Sequence, residues 1–140
     1  MVVRSDQDGP EALSYSDVSK FLTSLLAVPP EKAQVLVARL APTDTTLLPA
    51  GRTTRLVGTA GISIDPAERE FFGPFQVRPP DTSVYLSNMA VDARFRRQGI
   101  AQLLLAACEQ AAAAAGRSND ICLIVNQAND AAQALYQQAG

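Results

Sequence analysis

The sequence predicts an α+β domain in which a mixed, mostly antiparallel sheet is flanked by helices. Strand-like apolar runs and helix-like apolar periodicities follow one another in the order strand, helix, three strands, helix, strand, helix. The three middle strands are joined without intervening helices, which suits antiparallel pairing. Residues 83–125 have the pattern of a strand, a helix and a strand, which suits a parallel crossover.

The composition is typical of one soluble globular domain. With 140 residues, of which 47% are hydrophobic, the chain can bury a core, and we expect a single domain over residues 1–140. A net charge of −2 argues against a general nucleic-acid-binding protein, which needs a basic face. No apolar run approaches the roughly 18 residues of a membrane span. Residues 1–20 lack the apolar stretch of a signal peptide and are too acidic for a transit peptide.

The chain contains no histidine, which removes every mechanism that rests on an imidazole base or an imidazole metal ligand. Its two cysteines, Cys108 and Cys122, lack the spacing of metal ligands, so no metal is expected. Cys108 lies on an apolar helical stripe and Cys122 in an apolar strand. We therefore expect two reduced core residues, with a disulfide as the alternative.

The first half of the chain contains one predicted helix and two predicted strands after a short strand at residues 1–4. Asp17 is expected to cap the helix, whose apolar side chains share one face and which Pro29-Pro30 ends. Residues 34–40 and 55–64 have the pattern of strands.

Residues 66–81 form a long connection that holds three phenylalanines, Phe71, Phe72 and Phe75. The simpler interpretation is a satellite cluster packed over the core. The alternative is a wall of a substrate site, because loops on a rigid scaffold commonly carry function.

The second half begins with a strong strand at residues 83–91. The pattern of residues 98–115 predicts a helix that ends at Gly116. Its apolar positions recur at steps of three and four: Ile100, Leu103, Leu104, Ala107, Cys108 and Ala111. Residues 121–125 are continuously aliphatic, as expected of a strand covered on both faces. A last helix is predicted over residues 129–138.

Residues 96–101, Arg-Arg-Gln-Gly-Ile-Ala, follow a strand and open a helix. The first turn of a helix has free backbone N–H groups and the positive end of the helix dipole, so a phosphate can bind there. Gly99 has no Cβ and lets an anion approach the backbone. Arg96 and Arg97 add positive charge. Taken alone, such an arginine pair is as typical of a solvated surface as it is of an anion-binding site.

Arg96-x-x-Gly99-x-Ala101 resembles the Q/R-x-x-G-x-G/A signature of the GNAT superfamily of N-acetyltransferases. It follows a strand ending Asn-Met-Ala-Val, where that family places it. The last helix is similar to the family pattern N-x-x-A-x-x-L-Y-x-x-x-G, through Asn129, Ala132, Leu135, Tyr136 and Gly140. The sequence of residues 85–91 and 95–99 resembles that of the plastid branch of the family.

The resemblance implies the GNAT fold, with acetyl-CoA as cosubstrate and no metal. It implies transfer of an acetyl group to an amine of a protein or peptide. The implied acceptor is the N-terminal amine, the lysine side-chain amine, or both. The plastid branch implies a plastid location, with the cytoplasm as the alternative, and no membrane partner. The oligomeric state is not implied.

The resemblance also implies roles for individual residues. The backbone of residues 89–91 would pair with the pantetheine arm, which requires this strand to separate from its neighbour. The N–H groups of residues 97–102 would hold the pyrophosphate. Asn129 would contact the coenzyme, and a plain helix N-cap is a compatible alternative. The implied coenzyme-binding residues are Met89, Ala90, Val91, Arg96, Arg97, Gln98, Gly99, Ile100, Ala101, Gln102, Asn129 and Asp130.

Tyr136 lies two helical turns after Asn129 and therefore on the same helix face. The resemblance implies that its hydroxyl, with an ordinary pKa near 10, protonates the departing thiolate. The alternative is an aromatic anchor for the helix. A backbone N–H near Val91 is the candidate for stabilising the oxyanion. Four residues are candidates for the base that deprotonates the amine, and the sequence does not choose among Tyr85, Ser87, Glu68 and Glu70.

Family members usually continue beyond the point where this chain stops, Gly140. We therefore expect a domain truncated at its C-terminus, with an exposed edge on the strand at residues 121–125. This leaves a second class of function open, a non-catalytic module that binds acetyl-CoA. A Rossmann-type nucleotide-binding protein is disfavoured, because Gly99 has no G-x-G-x-x-G set around it.

Overall fold

The computed structural model describes residues 2–6, 15–44, 46, 48–68, 79–117, 121–126 and 128–139, with the backbone alone at 2–6, 15–18, 21, 22 and 126. The elements confirm the predicted order. They are β1 (Val2–Asp6), α1 (Tyr15–Leu26), β2 (Ala33–Leu40), β3 (Arg55–Ser63), β4 (Val84–Val91), a 3-10 turn (Ala93–Phe95), α2 (Ile100–Ala114), β5 (Ile121–Asn126) and α3 (Asp130–Ala139). Glu70 and the three phenylalanines of the 66–81 connection lie outside the described residues. None of the described helices has the length and apolar character needed to span a membrane.

Five strands form one mixed sheet in the order β1-β5-β4-β3-β2. The pairs β2–β3 and β3–β4 are antiparallel, and β4–β5 is parallel. These three orientations follow from the connections, because only the β4–β5 connection contains a crossover helix. The predicted α+β fold class with a mixed sheet is confirmed, and aliphatic residues of the sheet pack against α2 to form the core. The described sheet has two parallel and two antiparallel pairs, so it is not mostly antiparallel as expected.

The edge of β5 differs from the expectation. β1 pairs with it in parallel, from Val2 opposite Cys122 to Asp6 opposite Asn126. The prediction of an exposed edge on β5 is therefore wrong, because the N-terminal strand occupies that edge. The continuous aliphatic pattern of β5 indicates that both of its faces are covered, but it carries no information about which strand lies beside it.

The start of α1 also corrects a prediction. The helix begins at Tyr15, so Asp17 lies inside its first turn and does not cap it. The end of the helix is as predicted, since α1 stops at Leu26, ahead of the two prolines. Helix-start assignments from one polar residue are uncertain by a turn, because Asp is also favourable within the first turn, where it interacts with the helix dipole.

The buried face of α2 is rotated relative to the predicted stripe. Its buried residues are Leu104, Leu105, Cys108 and Ala112. Leu103, which was expected on this face, is 70% exposed. Steps of three and four fit either face, and the contact with the sheet decides between them. Leu104 packs over Gly58 of β3, where an added Cβ would lie 2.9 Å from the Leu104 Cδ1.

Two further predictions about α2 and its surroundings are confirmed. Gly116 has a φ of 74° and ends the helix, and the Arg117 N–H donates to the Ala112 carbonyl across 2.9 Å. Cys108 and Cys122 are both buried, and neither forms a disulfide.

The two adjacent leucines of α2 provide a test of this packing. Leu104→Ala should lower the free energy of unfolding by about 2–5 kcal/mol, because it leaves a cavity in the core. Leu103→Ala should change it by less than about 0.5 kcal/mol, because the side chain is already in solvent. Urea denaturation of both variants measures the difference. Equal losses would contradict the observed orientation of α2.

Candidate active site

β4 and β5 separate part-way along their length. They pair only from Val84 opposite Ile121 to Leu86 opposite Leu123, although both strands continue. A bulge in β4 accompanies the separation. Its register with β3 shifts at this point, and Asn88 has a φ of 50°. Within the described chain, residues 89–91 therefore have no strand beside them on the β5 side.

The gap between the two strands opens into a cleft of about 570 Å³. The end of β4, the turn before α2, the first turn of α2 and one face of α3 line it. The predicted site residues that it brings together are Met89, Ala90, Val91, Arg96, Arg97, Gly99, Ile100, Ala101, Gln102, Asn129 and Tyr136. Gln98 and Asp130 do not line the cleft.

Other lining residues were not predicted from the sequence. They are Phe95 and, from α3, Ala131, Ala132, Ala134, Leu135 and Gln138. Most of the α3 positions lie three or four residues from one another, and four of the five are small or unbranched. A helical projection around Tyr136 could have identified them.

The turn between β4 and α2 is organised by Asp92, whose role the sequence analysis missed. One carboxylate oxygen accepts from the Arg94 N–H at 3.0 Å, and the other accepts from the Arg94 Nη2 at 2.8 Å. The Arg94 side chain, followed by the Arg94 N–H, lowers the pKa of Asp92 to about 2. An Asp two residues before an Arg in a turn is the signal that could have indicated this. Arg94 is thus held by a carboxylate and does not line the cleft.

The next two arginines face different surroundings. Arg96 Nε donates to the Val91 carbonyl at 3.1 Å, which ties the turn to the end of β4. Arg97 has a φ of 63°, in the left-handed region that few residues other than glycine adopt. Such a backbone persists only where its surroundings hold it, and it is commonly found at binding sites.

The start of α2 is open. Gly99 has a φ of 80° and precedes the helix without a side-chain cap bond. A Cβ added at Gly99 would meet only the Gln102 Oε1, at 3.7 Å. The first N–H groups of α2 have no partner within the helix. They therefore face a cleft that side chains do not fill, and they can bind an anion.

Asn129 caps α3. Its Oδ1 accepts from the Ala132 N–H at 3.1 Å, which is the simpler of the two roles considered for it. Asn129 also lines the cleft, so the capping bond and a contact with a ligand are compatible.

Tyr136 lies on the cleft side of α3 and is 6% exposed. Burial raises the pKa of its hydroxyl above the ordinary value of 10, and the nearby Cys108 adds to the effect. The phenol is therefore protonated at neutral pH and can donate a proton. Burial also raises the pKa of the Cys108 thiol to about 12, so Cys108 stays a neutral core residue.

The candidate bases fall in different places. Tyr85 and Ser87 are buried on β4, whereas Glu68 is half-buried beyond the end of β3. Ser87 stands next to the point where β4 leaves β5. Glu70 lies outside the described residues.

Comparison with known proteins agrees with this geometry. Residues 17–140 match the model of the acetyltransferase (GNAT) family. The chain belongs to this family. A solved structure of a candidate acetyltransferase from Agrobacterium tumefaciens str. C58 aligns with a TM-score of 0.57 and 17% identity, covering 95% of this chain and 76% of that chain. At this identity the likeness supports the fold. No curated protein matches the sequence.

Acetyl-CoA is the cosubstrate that the GNAT family uses, and the residues of this GNAT acetyltransferase fit it. The coenzyme carries a peptide-like arm, which suits a strand that has no neighbouring strand on the β5 side at residues 89–91 of the described chain. It also carries a diphosphate, which suits the open start of α2 at Gly99.

The raised pKa of Tyr136 predicts a loss of stability at high pH. In the unfolded chain a tyrosine has its ordinary pKa near 10. Above about pH 10 the folded state therefore holds more protons than the unfolded state, and the free energy of unfolding falls as pH rises. Below that pH the contribution is fully present.

Tyr136→Phe removes the titrating hydroxyl, so the decline in stability above pH 10 should be shallower in this variant. Urea denaturation at pH 8, 10 and 11 measures it. Cys108 contributes its own decline above pH 9 in both proteins, so only the difference between them is diagnostic. An unchanged slope would show that the hydroxyl is solvated.

Proposed function

We propose that this GNAT acetyltransferase transfers the acetyl group of acetyl-CoA to an amine of a protein or peptide, by direct attack in a ternary complex. One observation carries the proposal. The gap between β4 and β5 opens into a cleft that has the uncapped start of α2 on one wall and the Tyr136 side chain on another. A ligand with a negatively charged group and a reactive thioester suits both walls, the charge at the start of α2 and the thioester near Tyr136.

The start of α2 is the proposed diphosphate site. Backbone N–H groups and the helix dipole favour negative charge there. Arg97 supplies a cation on the cleft wall, and the left-handed backbone at this residue and at Gly99 shapes the turn. Arg94 is excluded from this role because Asp92 already binds it.

The free edge of β4 is the proposed site of the pantetheine arm. The arm has amide groups of its own, so it can take the place that a further strand would occupy beside residues 89–91. This places the thioester near the interior of the cleft, where the α3 helix contributes Leu135 and Tyr136.

Tyr136 is the proposed general acid. The amine nitrogen forms a bond to the thioester carbonyl carbon, and the bond from that carbon to sulfur breaks. The departing thiolate takes the phenolic proton, the nitrogen loses one proton to water, and the Tyr136 phenolate recovers one from water. Because the Tyr136 hydroxyl is buried and neutral, the proton is available at neutral pH. General acid catalysis of this kind contributes about 10²–10⁴-fold to a rate.

Protein acetylation and a plastid location are further parts of the proposal. They rest on the sequence of residues 85–91 and 95–99, which resembles that of the plastid branch of the family. A module that binds acetyl-CoA without turnover remains the alternative, and the next two tests separate it from an enzyme.

Arg97 tests the coenzyme site. Arg97→Gly removes the positive charge and keeps a residue that readily adopts positive φ. The Kd for acetyl-CoA should rise about 10- to 100-fold, which is the effect expected from the loss of a charge-assisted hydrogen bond. Arg94→Ala is the matched control in the same turn and should change the Kd by less than about 3-fold, because Asp92 already neutralises Arg94. Isothermal titration calorimetry measures both. Equal effects of the two variants would contradict the proposed site.

Tyr136→Phe tests the chemistry. It should lower kcat by about 10²–10⁴-fold and leave the Kd for acetyl-CoA nearly unchanged, because the ring still packs in the core. Release of free thiol in the presence of peptide amines reports the rate. Binding of acetyl-CoA with no turnover by either protein would support the non-catalytic module. Turnover that the substitution does not affect would remove Tyr136 from the mechanism.

A further inference from the structure

Two aromatic side chains line the cleft, and they have different surroundings. Tyr136 belongs to the buried core, and its hydroxyl is the proposed general acid. Phe95 ends the 3-10 turn between β4 and α2, where arginines flank it, and it is half-buried. The proposed transfer does not use Phe95, although its ring lies at the cleft wall in the same turn as Arg97.

Packing alone does not account for the position of Phe95. The other large apolar side chains of the cleft wall also belong to the core of the described chain or pack against it: Met89, Val91, Ile100, Leu135 and Tyr136. Phe95 is not among the side chains that pack against this core. An anchoring phenylalanine normally buries its ring in the core, because that burial is the source of its stabilising effect. The Phe95 ring instead contacts the cleft.

Arg55 of β3 covers one face of the Phe95 ring. The Arg55 guanidinium lies over the ring, with Cζ 5.6 Å from the ring centroid. This is within the range of roughly 6 Å in which a cation is attracted to the face of an aromatic ring. The same guanidinium lies 3.9 Å from a carboxylate oxygen of Asp92. Two partners therefore orient Arg55, and the part of the ring that it leaves uncovered is the part available to the cleft.

The backbone of the turn is fixed to β3 as well. The Asp92 N–H donates to the Val57 carbonyl at 2.8 Å, and the Phe95 N–H donates to the Asp92 carbonyl at 2.9 Å. Val57 and Arg55 are two residues apart on β3, so a backbone bond and a side-chain contact hold the turn at adjacent points. The ring is thus in place before a ligand binds, and a preorganised group loses less entropy on binding.

The coenzyme has three parts, and two of them already have a proposed wall. The pantetheine arm is placed beside residues 89–91, and the diphosphate is placed at the start of α2. The third part is the adenosine, which is joined to the diphosphate and carries a flat aromatic base. Nucleobases stack readily on aromatic side chains, whatever the base, because every base has an aromatic face. Phe95 lies in the turn that leads to the diphosphate site and offers such a ring.

We propose that the Phe95 ring, covered on its other face by Arg55, is the platform on which the adenine of the coenzyme stacks. This inference rests on the proposed function. Stacking uses the face of the base and leaves its hydrogen-bonding edge free. The platform therefore selects coenzyme A thioesters over thioesters of 4′-phosphopantetheine, which have the same arm but lack the base.

Substitutions at Phe95 test the platform. Phe95→Leu keeps an apolar side chain but removes the flat ring, so the Kd for acetyl-CoA should rise about 5- to 150-fold, the range for the loss of one base stacked on an aromatic side chain. Phe95→Trp keeps a flat ring and should change the Kd by less than about 3-fold. Isothermal titration calorimetry measures both. An equal Kd for Phe95→Leu and the unmodified chain would overturn the platform.

A thioester without the base separates stacking from support of the turn. Acetyl-4′-phosphopantetheine carries the arm, the thioester and one phosphate. Phe95→Leu should lower kcat/KM for acetyl-CoA and leave kcat/KM for this shorter thioester unchanged, because the shorter compound has nothing to stack. A residue that only shapes the turn would lower both values by the same factor, and that result would overturn the platform.

Fluorescence gives a readout that does not depend on turnover. The chain contains no tryptophan, so Phe95→Trp introduces a single indole at the proposed platform. A stacked adenine quenches indole emission, so saturation with acetyl-CoA should lower the emission of this variant. Leu103→Trp is the matched control, because Leu103 is exposed on α2 and does not line the cleft. Emission of Phe95→Trp that responds no more than the control would overturn the stacking, and this measurement decides if the shorter thioester does not react.

Arg55 is the proposed positioning residue for the ring. Arg55→Met removes the cation and should raise the Kd for acetyl-CoA about 2- to 5-fold, the range for an exposed cation–π contact, whereas Arg55→Lys should retain more of the affinity. Arg39→Met is the matched control, because Arg39 is an exposed arginine on β2 opposite Leu56, the residue next to Arg55. Equal effects of Arg55→Met and Arg39→Met would indicate general charge alone and would overturn the role of Arg55.

The outcomes also separate this inference from the proposed function. If the unmodified chain does not bind acetyl-CoA in calorimetry, the proposed function itself fails. If the unmodified chain and Phe95→Leu bind acetyl-CoA equally well, the proposed function stands and the platform is overturned.

Discussion

The separation of β4 from β5 after Leu86 is the constraint on which the candidate site depends. A continuous parallel pair would use the backbone groups of both strands and leave no cleft. The bulge at Asn88 bends β4, and the crossover through α2 brings β5 back beside only the first part of β4. Beyond the split, the described β4 backbone has no strand to pair with on the β5 side, and the Val91 carbonyl there accepts from Arg96. That backbone suits a ligand that carries amides of its own.

The turn that follows this edge combines two local arrangements. Asp92 accepts from the Arg94 N–H and neutralises the Arg94 side chain, and the Arg96 side chain ties the turn to the end of β4. Arg97 and Gly99 have the positive φ values that turn the chain into α2 and leave the helix start uncovered. Three arginines close together in the chain thus have different tasks. Their partners, and not their residue type, determine that Arg96 and Arg97 line the cleft whereas Arg94 does not.

Much of the candidate site could be predicted because its signals are local. A small residue at a helix start, arginines before it and a tyrosine two turns after an asparagine are short-range patterns with a direct physical meaning. The strand and helix order follows likewise from periodicities within each segment. The part that could not be predicted depends on contacts between distant segments. The role of Leu103 was misjudged because two helix faces fit the same spacing, and the contact of Arg55 with Phe95 becomes visible only when β3 packs beside the turn after β4.

The sequence by itself determined the order of strands and helices, the open turn around Gly99 and the position of Tyr136 on the last helix, because each rests on a pattern within a few residues. Only the tertiary structure decided which strand covers β5, where β4 leaves it and which side chains surround the gap. Val2 and Cys122 are neighbours in the sheet although about 120 residues separate them in the chain. Pairing over such a distance is set by the packing of the whole sheet, so no local pattern in either segment specifies it.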